Sequence, residues 1–230
     1  TTNTSHSANP ILVSNLKYDL IKDFTPIARL GELPFALVVN QADPAKTLKE
    51  WIDNVKRNPG KFSYATPNST SLVTSETIKR IAGLDIVGVP YKSSPQALTD
   101  LIGGSVQMYV VDLGSGMGMI KAGTVRVLAV TTKDSLSSLP NVPPVAKEVP
   151  GFDLTSWNGV FGPAGTPKPI VDKINVELQA VVVDTEVQDA LKKLGFEVWP
   201  TKTPDEFAKY VSDQLTHWGL LIKQAGIRPE

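Results

Sequence analysis

The chain has 230 residues, enough for one large domain or two small ones, and its 41% hydrophobic and 20% charged content is that of an ordinary globular protein. Lys and Arg together number 23, as do Asp and Glu, and this zero formal net charge argues against a broad nucleic-acid or membrane-binding surface. The absence of cysteine excludes disulfides, thiolate zinc sites and a cysteine nucleophile.

The first half of the chain alternates between predicted strands and helices. Phe35–Val39 is an apolar strand candidate. Thr47 and Glu50 have the spacing of a capping box, so a helix begins there and ends before Pro59. Its predicted buried face consists of Leu48, Trp51, Ile52 and Val55.

A small polar turn, Thr66–Ser71, separates the predicted strand Phe62–Ala65 from the predicted helix Leu72–Ala82. The first turn of a helix has unpaired N–H groups and the positive end of the helix dipole, and small side chains let a carboxylate or phosphate approach. The same residue types are favoured at any helix N-terminus, where most bind no ligand. The turn is therefore either an anion site or an ordinary cap.

A second candidate position follows the next pair of strands. Ile86–Val89 is predicted as a strand, and Ser94-Pro95 starts a helix whose buried face is Ala97, Leu98, Leu101 and Ile102. The strand Val106–Val111 ends at Asp112, before a short Gly-rich helix over Leu113–Ala122. An acid at this place either faces a ligand or caps the turn that follows.

The last third begins with a predicted strand, Val125–Val130, and a proline-rich connection, Ser135–Pro150, that cannot form a regular helix or a central strand. After it we predict strands Asn158–Phe161 and Phe196–Trp199. Helices are predicted from Thr166-Pro167, with Ile170, Val171, Ile174, Leu178 and Val181 as the apolar residues, from Thr185 to Leu194, and from the capping box of Thr203 and Glu206.

Alternation of this kind predicts an α/β fold with mainly parallel sheets and helices on both faces. In such sheets ligands bind outside the carboxyl ends of the strands. The turn after Ala65 and the segment starting at Asp112 are therefore the two candidate ligand positions.

The sequence lacks the common catalytic and cofactor-binding motifs. The two histidines are His6 and His217, and no G-x-S-x-G elbow, phosphate-binding lysine loop, dinucleotide fingerprint or metal-ligand spacing occurs. We therefore predict a binding protein with no catalytic residue, no metal and no cofactor. The alternative is a hydrolase or transferase that uses a Ser or Asp in the same cleft.

Three segments resemble a known family in order and spacing. Val89–Gly104 resembles the "VPYKG…ALTDLLGG" segment of the Bug-type receptors, which are the extracytoplasmic solute-binding proteins of tripartite tricarboxylate transporters. Asp23–Ala28 is similar to their "DFxPVA" segment, and Phe161–Pro167 to their "FAPAGTP" segment. The agreement covers essentially the whole chain.

The resemblance implies a two-lobed periplasmic binding protein of type II-like architecture that closes on a dicarboxylate or aromatic carboxylate. We expect residues 1–34 and 151–230 to form the first lobe and residues 35–150 the second, with hinges near Gly31 and Gly151. The family's ligand loop corresponds to Thr66, Asn68, Ser69 and Thr70, and its strand-end acid to Asp112. Thr4, Ser5 and His6 match the "GTxxHxxNP" segment that faces the cleft from the first lobe.

The resemblance also implies partners and a location. We expect a monomer in the periplasm that passes its carboxylate to membrane transporter subunits or presents its closed form to a sensor protein, and that binds no nucleic acid. Family members carry a strand, a Gly-rich turn, a helix and a further strand ahead of the "GTxxH" segment, whereas this sequence starts within that segment. We expect those elements to supply the opening strand of the first lobe and one carboxylate-binding loop.

Overall fold

The computed structural model describes residues 4–152 and 154–229, with side chains from residue 6 onward. The chain divides into two compact units. Unit 1 consists of Thr1–Leu33 and Ser156–Glu230, and unit 2 is the continuous segment Pro34–Thr155. Each unit has its own sheet, and each is described by itself.

Unit 2 is built on a five-stranded sheet. In chain order its strands are β2 (Phe35–Asn40), β3 (Phe62–Thr66), β4 (Ile86–Pro90), β5 (Met108–Asp112) and β6 (Val125–Val130), and their order across the sheet is β4-β3-β5-β2-β6. The helices are α2 (Leu48–Arg57), α3 (Ser69–Ala82), α4 (Ser94–Ile102) and α5 (Leu113–Lys121), and a short 3₁₀ turn covers Val145–Lys147.

The core of unit 2 follows the sequence pattern closely. Strand β2 is buried at every position from Phe35 to Val39, so both of its faces are covered. Helix α2 buries the four residues predicted for it, Leu48, Trp51, Ile52 and Val55. In α4 the prediction was wrong at one position, because Ile102 is 37% exposed at the end of the helix while the other three residues of that face are buried.

Unit 1 contains β1 (Phe24–Leu33), β7 (Ser156–Pro163) and the two-residue strand β8 (Glu197–Val198), in the order β7-β1-β8. Its helices are α1 (Thr4–Leu12), α6 (Lys168–Val182), α7 (Thr185–Lys193) and α8 (Pro204–Gln224). Aromatic rings form its core: Trp157 packs edge-on against Phe207 and Tyr210, with centroid distances of 5.7 Å to each.

The apolar residues of α6 are not all buried. Val171 is buried against Ile27 and Ala28, but Ile170 is 51% exposed and Val181 is 50% exposed. The reason is that the helix contacts the three-stranded sheet along a narrow stripe that includes a polar residue, Asn175, whose side chain donates a hydrogen bond of 2.8 Å to the carbonyl oxygen of Ile27.

The α/β class is confirmed, but the prediction of mainly parallel sheets is wrong. Strand β3 pairs in parallel with β4 and β5, whereas β2 pairs antiparallel with β5 and β6, and β1 pairs antiparallel with β7 and β8. The physical reason is connectivity. Parallel pairing needs a crossover connection, and helices α3 and α4 supply it for the parallel strands β3, β4 and β5, whereas β1 and β7 are far apart in sequence and free to pair in either sense.

Two elements were missed from the sequence because each contains a proline. Helix α1 includes Pro10, and β1 includes Pro26. In β1 the register shifts between Pro26 and Ala28, where the proline lacks an N–H to donate to the ladder. None of the helices in the described residues combines the length and apolar character that a bilayer crossing requires.

Candidate functional site

Three helices of unit 2 begin at one edge of the sheet. Strands β4, β3 and β5 are parallel neighbours, with Thr66 opposite Pro90 and Ala65 opposite Tyr109. Each of these strands leads directly into a helix, so α3, α4 and α5 all start where the strands end. Adjacent strands are about 4.8 Å apart, which places the three helix starts within roughly 10 Å across the sheet. This edge, residues 66–71, 90–94 and 112–115, is called the carboxyl edge below.

The predicted ligand loop lies on the carboxyl edge and is well ordered by its own hydrogen bonds. Asn68 is the N-cap of α3, and its side-chain oxygen accepts bonds of 2.9 Å from the N–H and from the hydroxyl of Ser71. The hydroxyl of Thr66 donates to the carbonyl oxygen of Val89. Ser69 is the first residue of α3, and Thr70 is buried. Capping therefore explains Asn68, and the ligand role of the four residues stays a prediction.

Asp112 occupies the corresponding position before α5. Its Oδ1 accepts a hydrogen bond of 2.8 Å from the N–H of Ser115, so it is the N-cap of that helix. In the sheet it stands opposite Phe35 at the start of β2. Asp112 therefore caps the turn, which is one of the two roles that the sequence suggested for it. Its contact with a ligand stays a prediction.

The third helix start was not recognised as part of the site from the sequence. Ser93 is the N-cap residue of α4 and makes no side-chain capping bond, unlike Asn68 and Asp112. The hydroxyl of Tyr109, on β5, donates to the hydroxyl of Ser94 over 2.9 Å. The sequence did contain a signal for this helix start. Ser94-Pro95 follows strand β4, which is joined to β3 by a helix and pairs with it in parallel, so the next helix begins at the same edge.

The carboxyl edge holds several hydroxyl donors and one basic residue, the exposed Lys92. Burial raises the pKa of Tyr109 to about 12, so its hydroxyl keeps its proton. Deeper in unit 2, Tyr64 donates to Glu76, and burial followed by that carboxylate raises the pKa of Tyr64 as well. An anion at this edge would therefore be met by backbone N–H groups and hydroxyls.

The three residues predicted from the N-terminal segment fall in unit 1. The side chains of Thr4 and Ser5 lie outside the described part of the chain. His6 lies on α1 among aromatic rings, with its ring stacked on Phe161 at 5.1 Å and tilted against Phe24 at 5.3 Å. Both of its ring nitrogens are buried without a hydrogen-bond partner, and burial lowers its pKa. Its role toward a ligand stays a prediction.

The arrangement offers little for chemistry beyond binding. Both histidines of the chain belong to unit 1, so Asp112 and the hydroxyls of the carboxyl edge have no imidazole base within their own unit. Across the part of the chain that the structure describes, no three His, Asp or Glu side chains come together as a metal site. Donors that converge at helix starts can bind and orient an anion.

Comparison with protein families gives one match over nearly the whole chain. Residues 1–227 match the model of the tripartite tricarboxylate transporter family receptor. A relative from Pseudomonas sp. strain P51, the UPF0065 protein in the tcbD-tcbE intergenic region, is 32% identical over 209 residues, which is 89% of this chain. The chain spans 62% of the length of that relative.

Two solved structures share the fold over the whole chain. Rpa4515 of R. palustris, solved with adipate, has a TM-score of 0.92 and 30% identity and covers 100% of this chain, which spans 78% of that protein. The periplasmic binding protein BugD has a TM-score of 0.88 and 29% identity with the same coverage. The binding-protein fold predicted from the sequence and the resemblance to Bug-type receptors are both confirmed.

Proposed function

The chain belongs to the tripartite tricarboxylate transporter receptor family, and from that premise we propose that the whole protein captures a small carboxylate for uptake. It does so outside the cytoplasm, in the periplasm, as a monomer that delivers its ligand to the membrane subunits of a transporter of that class or presents its bound form to a sensor protein. A dicarboxylate or an aromatic carboxylate is the ligand. Units 1 and 2 are proposed as the two lobes.

The observation that carries the proposal is the convergence of three helix starts on the carboxyl edge of unit 2. Each start presents backbone N–H groups and the positive end of a helix dipole, and α4 begins without a side-chain cap. Such a site binds carboxylates without a fixed cation. The adipate present with the related Rpa4515 supports the same ligand class for this protein.

Binding without turnover is the second part of the proposal. The rival function, a hydrolase or transferase that uses a Ser or Asp, needs an activated nucleophile. Asp112 already accepts a capping hydrogen bond, and no histidine lies in the same unit. Proton NMR of a bound carboxylate over hours should show only the starting compound, whereas product formed at a steady rate would favour the enzyme.

The decisive experiment separates capping from ligand binding at Asn68. Asn, Asp and Ser are all strong N-caps, so Asn68→Asp and Asn68→Ser should both keep α3 intact. Only the aspartate adds a negative charge to the carboxyl edge. In isothermal calorimetry of the whole protein with adipate, we expect Asn68→Asp to weaken binding about tenfold or more by like-charge repulsion, and Asn68→Ser to stay within about threefold of the parent.

Equal affinity of the two variants would show that the carboxyl edge is not the ligand site. Failure of the parent protein to bind adipate, succinate, malate or benzoate would contradict the function itself. Circular dichroism of each variant checks that α3 is retained, since loss of its cap would lower helix content in both.

A further inference from the structure

Arg29 is a buried cation in the middle of β1. Its side chain is only 5% exposed, and its Cζ lies over the ring of Trp199 and over the ring of Tyr210, at 4.2 Å from each centroid. The two rings come from different parts of unit 1, since Trp199 follows β8 and Tyr210 lies on α8. Cation–π contacts with both rings hold the guanidinium in place.

Among the described residues the guanidinium of Arg29 has no ion-pair partner, and its Nε is buried without a hydrogen-bond partner. Burying a charged donor without an acceptor is costly, and the two aromatic rings offset only part of that cost. The remaining donors of the guanidinium are thus available to an anion from outside the chain.

The backbone around Arg29 is fixed independently of any ligand. The N–H of Arg29 donates to the hydroxyl of Thr201 over 3.1 Å, and the N–H of Trp199 donates to the carbonyl oxygen of Leu30 over the same distance. The strand that carries the cation and the segment that carries one of its rings are therefore bonded to each other. A site built in this way needs little reordering to bind.

The two rings leave the N–H edge of the guanidinium as the place where an anion can bind. A carboxylate matches the fork of two parallel N–H donors at that edge. Trp199 is 56% exposed, so its ring can shift outward to admit a ligand without opening the core.

We propose that Arg29, between Trp199 and Tyr210, binds a carboxylate group through its guanidinium edge. This position lies within unit 1 and brings a formal positive charge to the ligand. The inference rests on the proposed function, because it assigns to unit 1 a carboxylate of the ligand that the protein captures.

The fluorescence of Trp199 reports directly on binding at this position. Trp51, Trp157 and Trp218 are 0% exposed, so the neutral quencher acrylamide reaches Trp199 selectively among the four tryptophans of the chain. We expect adipate to lower the acrylamide quenching constant of the whole protein at least twofold, and chloride at equal ionic strength to leave it unchanged. Trp199→Phe keeps a ring beside Arg29 and gives the background quenching of the three other tryptophans.

Substitutions of Arg29 identify the group that binds. Arg29→Gln removes the charge, and Arg29→Lys keeps a cation for the rings but removes the fork. We expect each to weaken adipate binding about tenfold or more in calorimetry and to abolish the adipate effect on quenching. Arg57→Gln, at an exposed arginine of α2, is the matched control and should bind as the parent does.

Recovery of full affinity in Arg29→Lys would overturn the proposal, because a structural cation between two rings would explain the residue. Equal protection of Trp199 by chloride would also overturn it. If Arg29→Gln does not fold, the lysine variant and the quenching of the parent protein still decide the question. Weak binding in Asn68→Asp with normal binding in both Arg29 variants would refute this inference and leave the proposed function standing.

Discussion

The two units organise polar groups in opposite ways. At the carboxyl edge of unit 2 the side chains of Asn68 and Asp112 accept capping hydrogen bonds, and three helix starts supply backbone donors. In unit 1 the Nε of Arg29 and both ring nitrogens of His6 lie among aromatic rings without a hydrogen-bond partner. The carboxyl edge offers oriented dipoles, and unit 1 offers a buried guanidinium.

The difference follows from how each sheet is built. Parallel strands joined by helices bring helix starts to one edge, so unit 2 acquires a dipolar site from its connectivity. The three-stranded antiparallel sheet of unit 1 has no such edge. Among the described residues, Arg29 and His6 are polar side chains that the core of unit 1 holds in place, and such groups are more sensitive to packing and to pH.

The largest expected effect tests how tightly unit 1 is packed. A Cβ on Gly31 would lie 2.1 Å from the carbonyl oxygen of Glu197, which is backbone and cannot yield. We therefore expect Gly31→Ala to lower the free energy of unfolding by about 3 kcal/mol by separating β1 from β8. Urea denaturation measures the loss, and hydrogen exchange locates it in unit 1.

The matched substitution lies in unit 2. A Cβ on Gly118, in α5, would meet no atom within 4 Å, so Gly118→Ala should stabilise the protein by about 0.5–1 kcal/mol through helix propensity. A comparable loss of unfolding free energy in Gly31→Ala and Gly118→Ala would contradict the difference in packing between these two glycines.

A second prediction concerns alkaline pH and unit 2. Burial raises the folded-state pKa of Tyr109 to about 12, above its ordinary value of 10.0, so its contribution to stability is full below pH 10 and declines as the pH rises through about 12. We expect unit 2 to lose on the order of 2 kcal/mol over that range. Tyr109→Phe should flatten this dependence, at the loss of about 1 kcal/mol at pH 7 from its bond to Ser94.

Hydrogen exchange at pH 9 and at pH 11, corrected for the intrinsic rate, measures this effect. Exchange that accelerates equally in the parent protein and in Tyr109→Phe would rule out the tyrosine as its source. Tyr64 also has a raised pKa and belongs to unit 2, so the variant should reduce the dependence without removing it.

The smallest effect is expected at acidic pH in unit 1. Burial lowers the folded-state pKa of His6 below the ordinary value of 6.5, so its contribution to stability is full above pH 6.5 and declines as the pH falls toward the folded-state pKa. His6→Phe keeps an aromatic ring on Phe161 and should make the stability of unit 1 less dependent on pH between 7 and 5. An unchanged slope of unfolding free energy against pH in this variant would count against the assignment.

Local sequence patterns determined most elements of unit 2 and the identity of the family. The periodicity of Leu48, Trp51, Ile52 and Val55 predicted the buried face of α2, because an amphipathic helix encodes its orientation in its own spacing. The polar turn after β3 and the acid after β5 were placed on one edge from the rule that parallel strands end together. Motifs such as Val89–Gly104 identified the receptor family, which the match over residues 1–227 confirms.

Only the tertiary structure decided the pairing sense of distant strands and the surroundings of isolated polar residues. Nothing in the local sequence states that β1 runs antiparallel to β7, about 130 positions later, or that Trp199 and Tyr210 meet over Arg29. The position of Arg29 in the interior of the mostly apolar strand Phe24–Leu33 was the available signal for it. These features depend on contacts between residues that are far apart in sequence. A short window of sequence contains only one side of each contact and therefore cannot predict them.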